Sequence, residues 1–437
     1  MAPSDTLVAT DKLVIIDEDA GENVFDEGTA TPVGTTLGSL TITADGTWTY
    51  TLDNTLTEVQ ALDAGDKVIE EFTVTSADGT EHTIAVTING TEDETIITGP
   101  TTDTVKEDTD VDAGLLIAGD SLTITDNDAG ENKFSTTVTS VANDSGQLPL
   151  GTLTITEDGD WSYQVSNALQ EIQSLGKDET RVERFTVTSI DGSKTETIEV
   201  TIQGTNDLPV IDGDAVGLVI EDINVQPGDL LKDNGQLTIS DVDTGEAKFQ
   251  TTVTPVTVGG ITPIGTLTIT ATGAWSYEVD NTATEVQQLG AGDTRTETFQ
   301  VLSEDGTPHN VVVTINGTND APQIGGLSYV ELTEDQATQI DTNGDLNFTS
   351  QATISDVDLG EGAFVPSTLT AAAGNFTDGS LTIDAAGNWT YKIPNSSSNV
   401  QGLAAGERAT QTFTVETDNN TTHTITVDIV GVNDGSV

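Results

Sequence analysis

The residues of this chain that could do chemistry are carboxylates, and they recur in four patterns. Asp-x-Asp followed by Gly-Glu stands at Asp17/Asp19 with Glu22, Asp126/Asp128 with Glu131, Asp241/Asp243 with Glu246 and Asp356/Asp358 with Glu361. A Glu-Asp pair stands at Glu107-Asp108, Glu221-Asp222 and Glu334-Asp335. An Asn-Asp pair stands at Asn206-Asp207, Asn319-Asp320 and Asn433-Asp434, with Glu92-Asp93 in the corresponding first place. A hairpin aspartate recurs at Asp78, Asp191 and Asp305, with Asp418 in a related position. Six or seven oxygens without nitrogen or sulfur suit a hard cation: Ca²⁺ takes about 6–8 such ligands at ~2.3–2.6 Å, whereas Mg²⁺ prefers a tighter octahedron that keeps waters. Asp, Asn and Gly are also ordinary turn formers, but ordinary surface acidity need not return at the same strand ends. Calcium is the expected cofactor.

Composition narrows the partners. The chain has 437 residues, with 13 Lys+Arg against 73 Asp+Glu, a formal net charge of −60. Such a chain repels nucleic-acid phosphate and anionic lipid, attracts cations, and strains itself by self-repulsion unless counter-ions offset the charge. There is no cysteine, which removes disulfides, thiolate metal sites and cysteine nucleophiles. No apolar run reaches 18 residues, and the N-terminus does not read as a signal peptide.

The elements that must position these carboxylates are read from a repeat. LTITADGTWTY (40–50) returns as LTITEDGDWSY (153–163), LTITATGAWSY (267–277) and LTIDAAGNWTY (381–391), carrying Trp48, Trp161, Trp275 and Trp389. The spacing of 113 or 114 residues is that of whole tandem domains, because solenoid repeats are only about 20–50 residues long. Leu40 and Ile42 alternate with threonines, as do Trp48, Tyr50 and Leu52. That period predicts half-buried strands joined by the turn Ala44-Asp45-Gly46. Phe72–Val74, Asp78-Gly79 and Ile84–Ile88 predict a second hairpin. Between them Asn54, with equivalents at Asn167, Asn281 and Asn395, reads as the cap of a short helical turn burying Val59 and Leu62. The tryptophans read as core.

The expected fold is therefore all-β: four tandem immunoglobulin/cadherin-like β-sandwich domains in a linear array, over 1–93, 94–207, 208–320 and 321–437. GTEDE (90–94), GTNDLP (204–209), GTNDAP (317–322) and GVND (431–434) mark the joints. Repeat 1 lacks the segment that precedes Asp-x-Asp in the others, which places the start of the chain inside a domain. Strand direction brings the first strand and the last strand down to the linker, and the next strand back up to Asp-x-Asp. Each joint then gathers carboxylates from both neighbours. The first would use Glu92, Asp93, Asp126, Asp128 and Asp191. The second would use Glu107, Asp108, Asn206, Asp207, Asp241, Asp243 and Asp305. The third would use Glu221, Asp222, Asn319, Asp320, Asp356 and Asp358. The top of repeat 1 and the bottom of repeat 4 carry half-sites.

Catalysis finds no constellation. His82, His309 and His423 are equivalent positions on the last hairpin, one per domain. They cannot form a triad or a zinc site within a domain. No phosphate loop or nucleophile elbow is visible. The chain is read as not an enzyme.

The order Glu-Asp, ITDNDAGENKF (124–134), GTLTITEDGDWSY (151–163), FTVTSIDG (185–192) and VTIQGTND (200–207) resembles the VCBS-type repeats of giant bacterial adhesins exported by the type I, RTX-adhesin route. The linker Asn-Asp with a following Asp-x-Asp is also similar to the cadherin calcium joint. The resemblance covers essentially the whole chain. It implies a sandwich with interdomain calcium, an extracellular location on the bacterial cell surface, and an extender that holds a distal ligand-binding region away from the cell. The implied partners are calcium and neighbouring repeats of the same adhesin, with a monomeric chain that inserts into no membrane and binds no nucleic acid. The chain carries no RTX nonapeptide repeats and no recognisable secretion or anchoring region, so it reads as an internal piece of the extender. The alternative is an adhesion module for carbohydrate, protein or self. It would need one asymmetric repeat, for which 138–151, Val256–Ile264 and Ala371–Phe376 are the small candidates.

Overall fold

The computed structural model describes residues 5–371, 373–374 and 378–435. They fall into two compact units, Met1–Asp207 with Val242–Thr244, and Leu208–Asp241 with Gly245–Val437. Both are all-β apart from short helical turns.

In the first unit, Thr6–Lys12, Thr47–Asp53, Ser39–Ile42 and Gly28–Thr29 make one sheet, facing Thr31–Pro32, Lys67–Thr75 and Glu81–Asn89. The expected hairpin forms, with Leu40 opposite Tyr50 and Ile42 opposite Trp48. Alternation places Leu40, Ile42, Tyr50 and Leu52 inside with Phe72, Val74, Ile84 and Val86. The same plan repeats over residues 95–203. Leu115–Ser121, Asp160–Ser166 and Thr152–Ile155 form one sheet, and Thr139–Val141, Thr180–Thr188, Thr195–Gln203 and Thr102–Lys106 form another. A separate cluster that includes Phe134, Trp161, Tyr163, Phe185 and Val200 lies between them. The second unit holds two further clusters built the same way, around Trp275 and Trp389. Of the side chains in Ala371–Phe376, only that of Ala371 lies among the described residues.

The first strand of these repeats changes sheets midway. Ile96–Thr98 pairs with Thr123–Thr125 in one layer, and Thr102–Lys106 then runs parallel to Thr195–Gln203 in the other. Val216–Ile220 and Tyr329–Thr333 repeat that parallel pairing. The crossing residue is Gly99, Gly213 or Gly326, all at positive φ. A Cβ there would lie 2.9, 2.5 or 2.6 Å from a backbone carbonyl oxygen, so only glycine fits. Among the described residues of the first sandwich no such strand is present, and the consequence is local. Val14 and Ile16 are 80% and 91% exposed, and Trp48 is only half-buried.

Each core also contains a buried polar group tied to a tyrosine. Tyr163 Oη donates to Glu183 at 2.7 Å, and the N–H groups of Leu150 and Gly151 and the Arg181 guanidinium also reach that carboxylate. The equivalent Glu297 has the same set. In the last sandwich Gln411 replaces the glutamate and accepts from Tyr391. Ala409 stands at the register of the arginine. In the first sandwich Glu70 keeps the bonds from Tyr50, Leu37 and Gly38, with Val68 at the register of the arginine.

The asparagines do not cap the helical turns. The N-cap positions are Leu56, Leu169, Ala283 and Ser397. Asn167, Asn281 and Asn395 instead clasp the acidic pair. Each donates Nδ2 to the carboxylate of Asp108, Asp222 or Asp335 at 2.6–2.7 Å and accepts that residue's N–H. Those aspartates sit at φ of 54–58°, a left-handed conformation that Asp tolerates better than most side chains. The clasp holds them there.

Candidate metal centres at the acidic turns

Each Asp-x-Asp follows a strand and folds back on itself. Asp126 Oδ1 accepts the N–H of Asp128 at 2.9 Å, and Asp356 Oδ1 that of Asp358 at 3.1 Å. Glu131 and Glu361 then bond back to the carbonyls of Asp128 and Asp358. This tight turn aims the second aspartate and the glutamate in one direction.

In the first unit that direction leads to Asp63 and Glu92. Asp63, Glu92, Asp128 and Glu131 each bring an oxygen within 4.8 Å of the others. The Asp93 N–H donates to Asp128 Oδ2 at 2.8 Å, and Thr95 Oγ1 donates to Asp126. Asp128 is 2% exposed, yet its Oδ1 has no hydrogen-bond partner, and neither has Glu131 Oε2. Burial raises the Glu131 carboxyl to about 7, with Asp63, Asp191, Glu92 and Asp126 pushing the same way. Asp191 itself is lowered: burial raises it, but hydrogen bonds from Ser189 and Ser193 outweigh that.

The second unit repeats the arrangement. Asp356, Asp358 and Glu361 converge within 4.8 Å. The Asp320 N–H donates to Asp358 Oδ2 at 2.9 Å, and Asn419 Nδ2 donates to Asp356 Oδ2 at 3.0 Å. Asp358 is again 2% exposed, and Asp358 Oδ1, Glu361 Oε2 and Asp320 Oδ2 lack partners. Glu221 is fully buried, accepting from Thr318 N–H at 3.1 Å and Gln287 Nε2 at 3.0 Å. Burial raises it to about 7, against the lowering effect of the Thr318 bond and with the charges of Asp320, Asp222 and Asp358 adding to the rise. Asp222 is held by Asn281, and Asn319 is exposed, its amide turned to the Asp320 carbonyl.

The remaining predicted residues are placed as follows. Glu107, in the first unit, is buried with Thr205 N–H and Gln173 Nε2 on its oxygens. Burial raises it to about 7, with the Thr205 bond opposing and Asp108, Asp207 and Asp243 adding to the rise. Asp207 N–H donates to Asp243 at 2.8 Å. Asn206 is exposed, its amide on the Asp207 carbonyl. Asp241 follows the strand Leu230–Ser240 in the second unit. Asp305 caps its own hairpin turn, accepting from Ser303 and Thr307. Asp17, Asp19 and Glu22 form a more exposed cluster. Glu334 is 1% exposed with Oε2 unpartnered, and Val432 N–H holds its other oxygen.

Two kinds of residue escaped the candidate ligand set. Glu131 and Glu361 belong to the recurring Gly-Glu pattern but were not singled out as ligands. Asp63 stands where the repeat register has Gly176, Gly290 and Ala404, so a departure from the repeat was its signal. The histidines lie on separate strands, opposite Val74, Val301 and Val415. Among the described residues no helix is long and apolar enough to cross a membrane.

The donor set is all oxygen. Among the described residues no ion pair reaches Asp128, Glu131, Asp358 or Glu361. Buried carboxylate oxygens left without a partner are costly, and a hard divalent cation satisfies them. The residues therefore fit calcium.

No protein-family model and no curated protein matches the chain. Solved structures do match. The extracellular domain of protocadherin GammaB4 is 14% identical, with a TM-score of 0.41 over 96% of this chain and 63% of that one. This chain thus spans less than two thirds of that protein's length. Drosophila N-cadherin EC1-4 is 12% identical, with a TM-score of 0.32 over 96% of this chain and 94% of that one. A structure described as "Ca2+-stabilized adhesin helps an Antarctic bacterium reach out and bind ice" is 17% identical, with a TM-score of 0.26 over 98% of this chain and 94% of that one.

Proposed function

We propose that this chain is a spacer segment of a bacterial cell-surface adhesin, made of four tandem sandwiches whose joints are stiffened by calcium. The observation that carries the reading is the pair of buried, partnerless oxygens on Asp128 and Asp358, which stand at the same place in different repeats and each receive a linker N–H. Asp63, Glu92, Asp128 and Glu131 would hold calcium in the first unit. Glu221, Asp320, Asp356, Asp358 and Glu361 would hold it in the second. The resemblance of the sequence order to VCBS-type repeats supports a location outside the cell and export by a type I route.

When bound, calcium supplies charge neutralisation and a shared coordination shell. The chain's own residues do the rest. The Asx-turn at Asp-x-Asp orients two carboxylates, the linker N–H fixes one oxygen of the second aspartate, and the Asn–Asp clasp holds the neighbouring acidic pair. A site of extracellular type, with Kd near ~10⁻⁴ M, gains about 1.4 kcal/mol at roughly millimolar calcium and is empty at cytosolic levels. Flexibility during export and stiffness outside follow.

The test is calcium titration by calorimetry on the whole chain. Asp128→Asn and Asp358→Asn should each remove or weaken one site by at least about tenfold, the loss seen for even indirect metal partners. No calcium uptake by the unaltered chain would contradict the proposal.

A further inference from the structure

We infer that Asp63 is a calcium ligand peculiar to the first unit, completing with Glu92, Asp128 and Glu131 a site that forms without a first-strand Glu-Asp pair. The inference rests on the calcium reading above and names which residues realise it at this joint.

Three observations converge. The first is geometric. The four residues offer oxygens all within 4.8 Å of one another. Two oxygens on opposite sides of one calcium, each at about 2.4 Å, stand about 4.8 Å apart. The separations are therefore of the size found across the coordination shell of one ion. The second is the buried carboxylate aimed into the group: Asp128 is 2% exposed with Oδ1 unpartnered, and Glu131 Oε2 is unpartnered beside it.

The third comes from the other unit. Gly290 occupies the position of Asp63 in its own repeat. A Cβ built on Gly290 would lie 3.2 Å from Glu361 Oε1 and 3.6 Å from Asp358 Cβ. Asp358 and Glu361 are the counterparts of Asp128 and Glu131. That backbone position therefore abuts the same acidic pair in both units, and any side chain grown there points at it.

Composition explains why a carboxylate is needed at the first joint. In the second unit the first strand supplies Glu221 and Asp222 at this end of the sandwich, and Glu221 accepts the Thr318 N–H two residues before Asp320, whose own N–H reaches Asp358. Among the described residues of the first sandwich there is no Glu-Asp pair of that kind. The first joint instead carries Asp63 in place of glycine and Glu92 in place of asparagine. Two neutral positions have become two carboxylates where two carboxylates are missing.

The experiment counts calcium on the full chain by equilibrium dialysis and calorimetry, comparing the unaltered protein with Asp63→Gly, Asp63→Asn and Asp358→Asn. Asp63→Gly installs the residue that Gly176 and Gly290 already provide, so it should fold, which a melt in EDTA checks. Asp63→Asn keeps an acceptor for the Ala64 N–H that Asp63 now receives, and so separates ligation from turn formation. The expected result is one site weakened by at least about tenfold in Asp63→Gly and by less in Asp63→Asn. The sites lost in Asp358→Asn should be unaffected by either. An isotherm unchanged by both Asp63 variants, in a chain that still takes up calcium, overturns this inference alone. A chain that takes up no calcium overturns both it and the reading beneath it.

Discussion

The acidic clusters of the two units reach a similar charge by different residues. Both keep the Asp-x-Asp turn, the following glutamate and a linker N–H on the second aspartate, at 2.8 Å in one and 2.9 Å in the other. Around that constant centre several neighbours vary. Thr95 steadies Asp126, whereas Asn419 steadies Asp356. Asp63 and Glu92 stand near the first centre, and Glu221 near the second, where glycine and asparagine take the places of Asp63 and Glu92. The constant parts are those that the fold sets. The second aspartate of each pair is fixed by a strand end and a tight turn, so it cannot move without moving the sheet. Its neighbours come from loops that can trade a carboxylate from one position to another.

Calcium removal is the largest way to test that symmetry. At about 1.4 kcal/mol per site, EDTA should lower the melting temperature by about 5–10 °C in each sandwich that shares a centre. Calorimetric scans with and without calcium measure it, and a scan unmoved by EDTA breaks the account. Next come the paired substitutions. Asp128→Asn and Asp358→Asn should cost their own sites equally. If one is silent and the other is not, the two centres are not equivalent.

A third comparison sets the first sandwich against the rest. In it Ile84, Val86 and Ile88 are 5–8% exposed, while Ile198, Val200 and Ile202 are fully buried under the parallel strand Thr102–Lys106. Amides of Glu81–Asn89 should therefore exchange faster than those of Thr195–Gln203, by about tenfold or more, in hydrogen-exchange mass spectrometry. Equal protection would show that some other contact covers that edge.

The smallest effect is on pH. Glu107, Glu131 and Glu221 are raised from 4.5 to about 7 by burial and by neighbouring carboxylates. Without metal the folded chain then binds more protons than the unfolded chain between those values, so stability in EDTA falls as pH rises from about 4.5 to about 7. Melts at intervals across that window check the sign. Calcium needs the ionised forms, so its uptake near pH 6.5 should release protons.

Much of this was legible in the sequence because strand ends are. The alternation Leu40-x-Ile42 with Trp48-x-Tyr50 predicts the hairpin register that forms. The direction argument has the first and last strands run the same way, and the structure pairs them in parallel. The Asp-x-Asp pattern singles out Asp128 and Asp358 by recurrence. Side-chain partnerships were less visible. Asn167 and its equivalents look like helix caps because Asn commonly is one, yet their amides bond an aspartate 59 or 60 residues away. That pairing depends on tertiary closure. Asp63 carries no such signal, because a residue present in one repeat does not recur.

On the proposed reading, metal at the acidic turns orders one sandwich against the next. Small-angle scattering on the whole chain tests it most directly, in calcium at roughly fifty times the ~10⁻⁴ M Kd and again after EDTA. A well-defined maximum dimension in calcium that gives way to a broad distribution of distances in EDTA, with each sandwich still folded, is the predicted result. Superimposable profiles in the two conditions would contradict it.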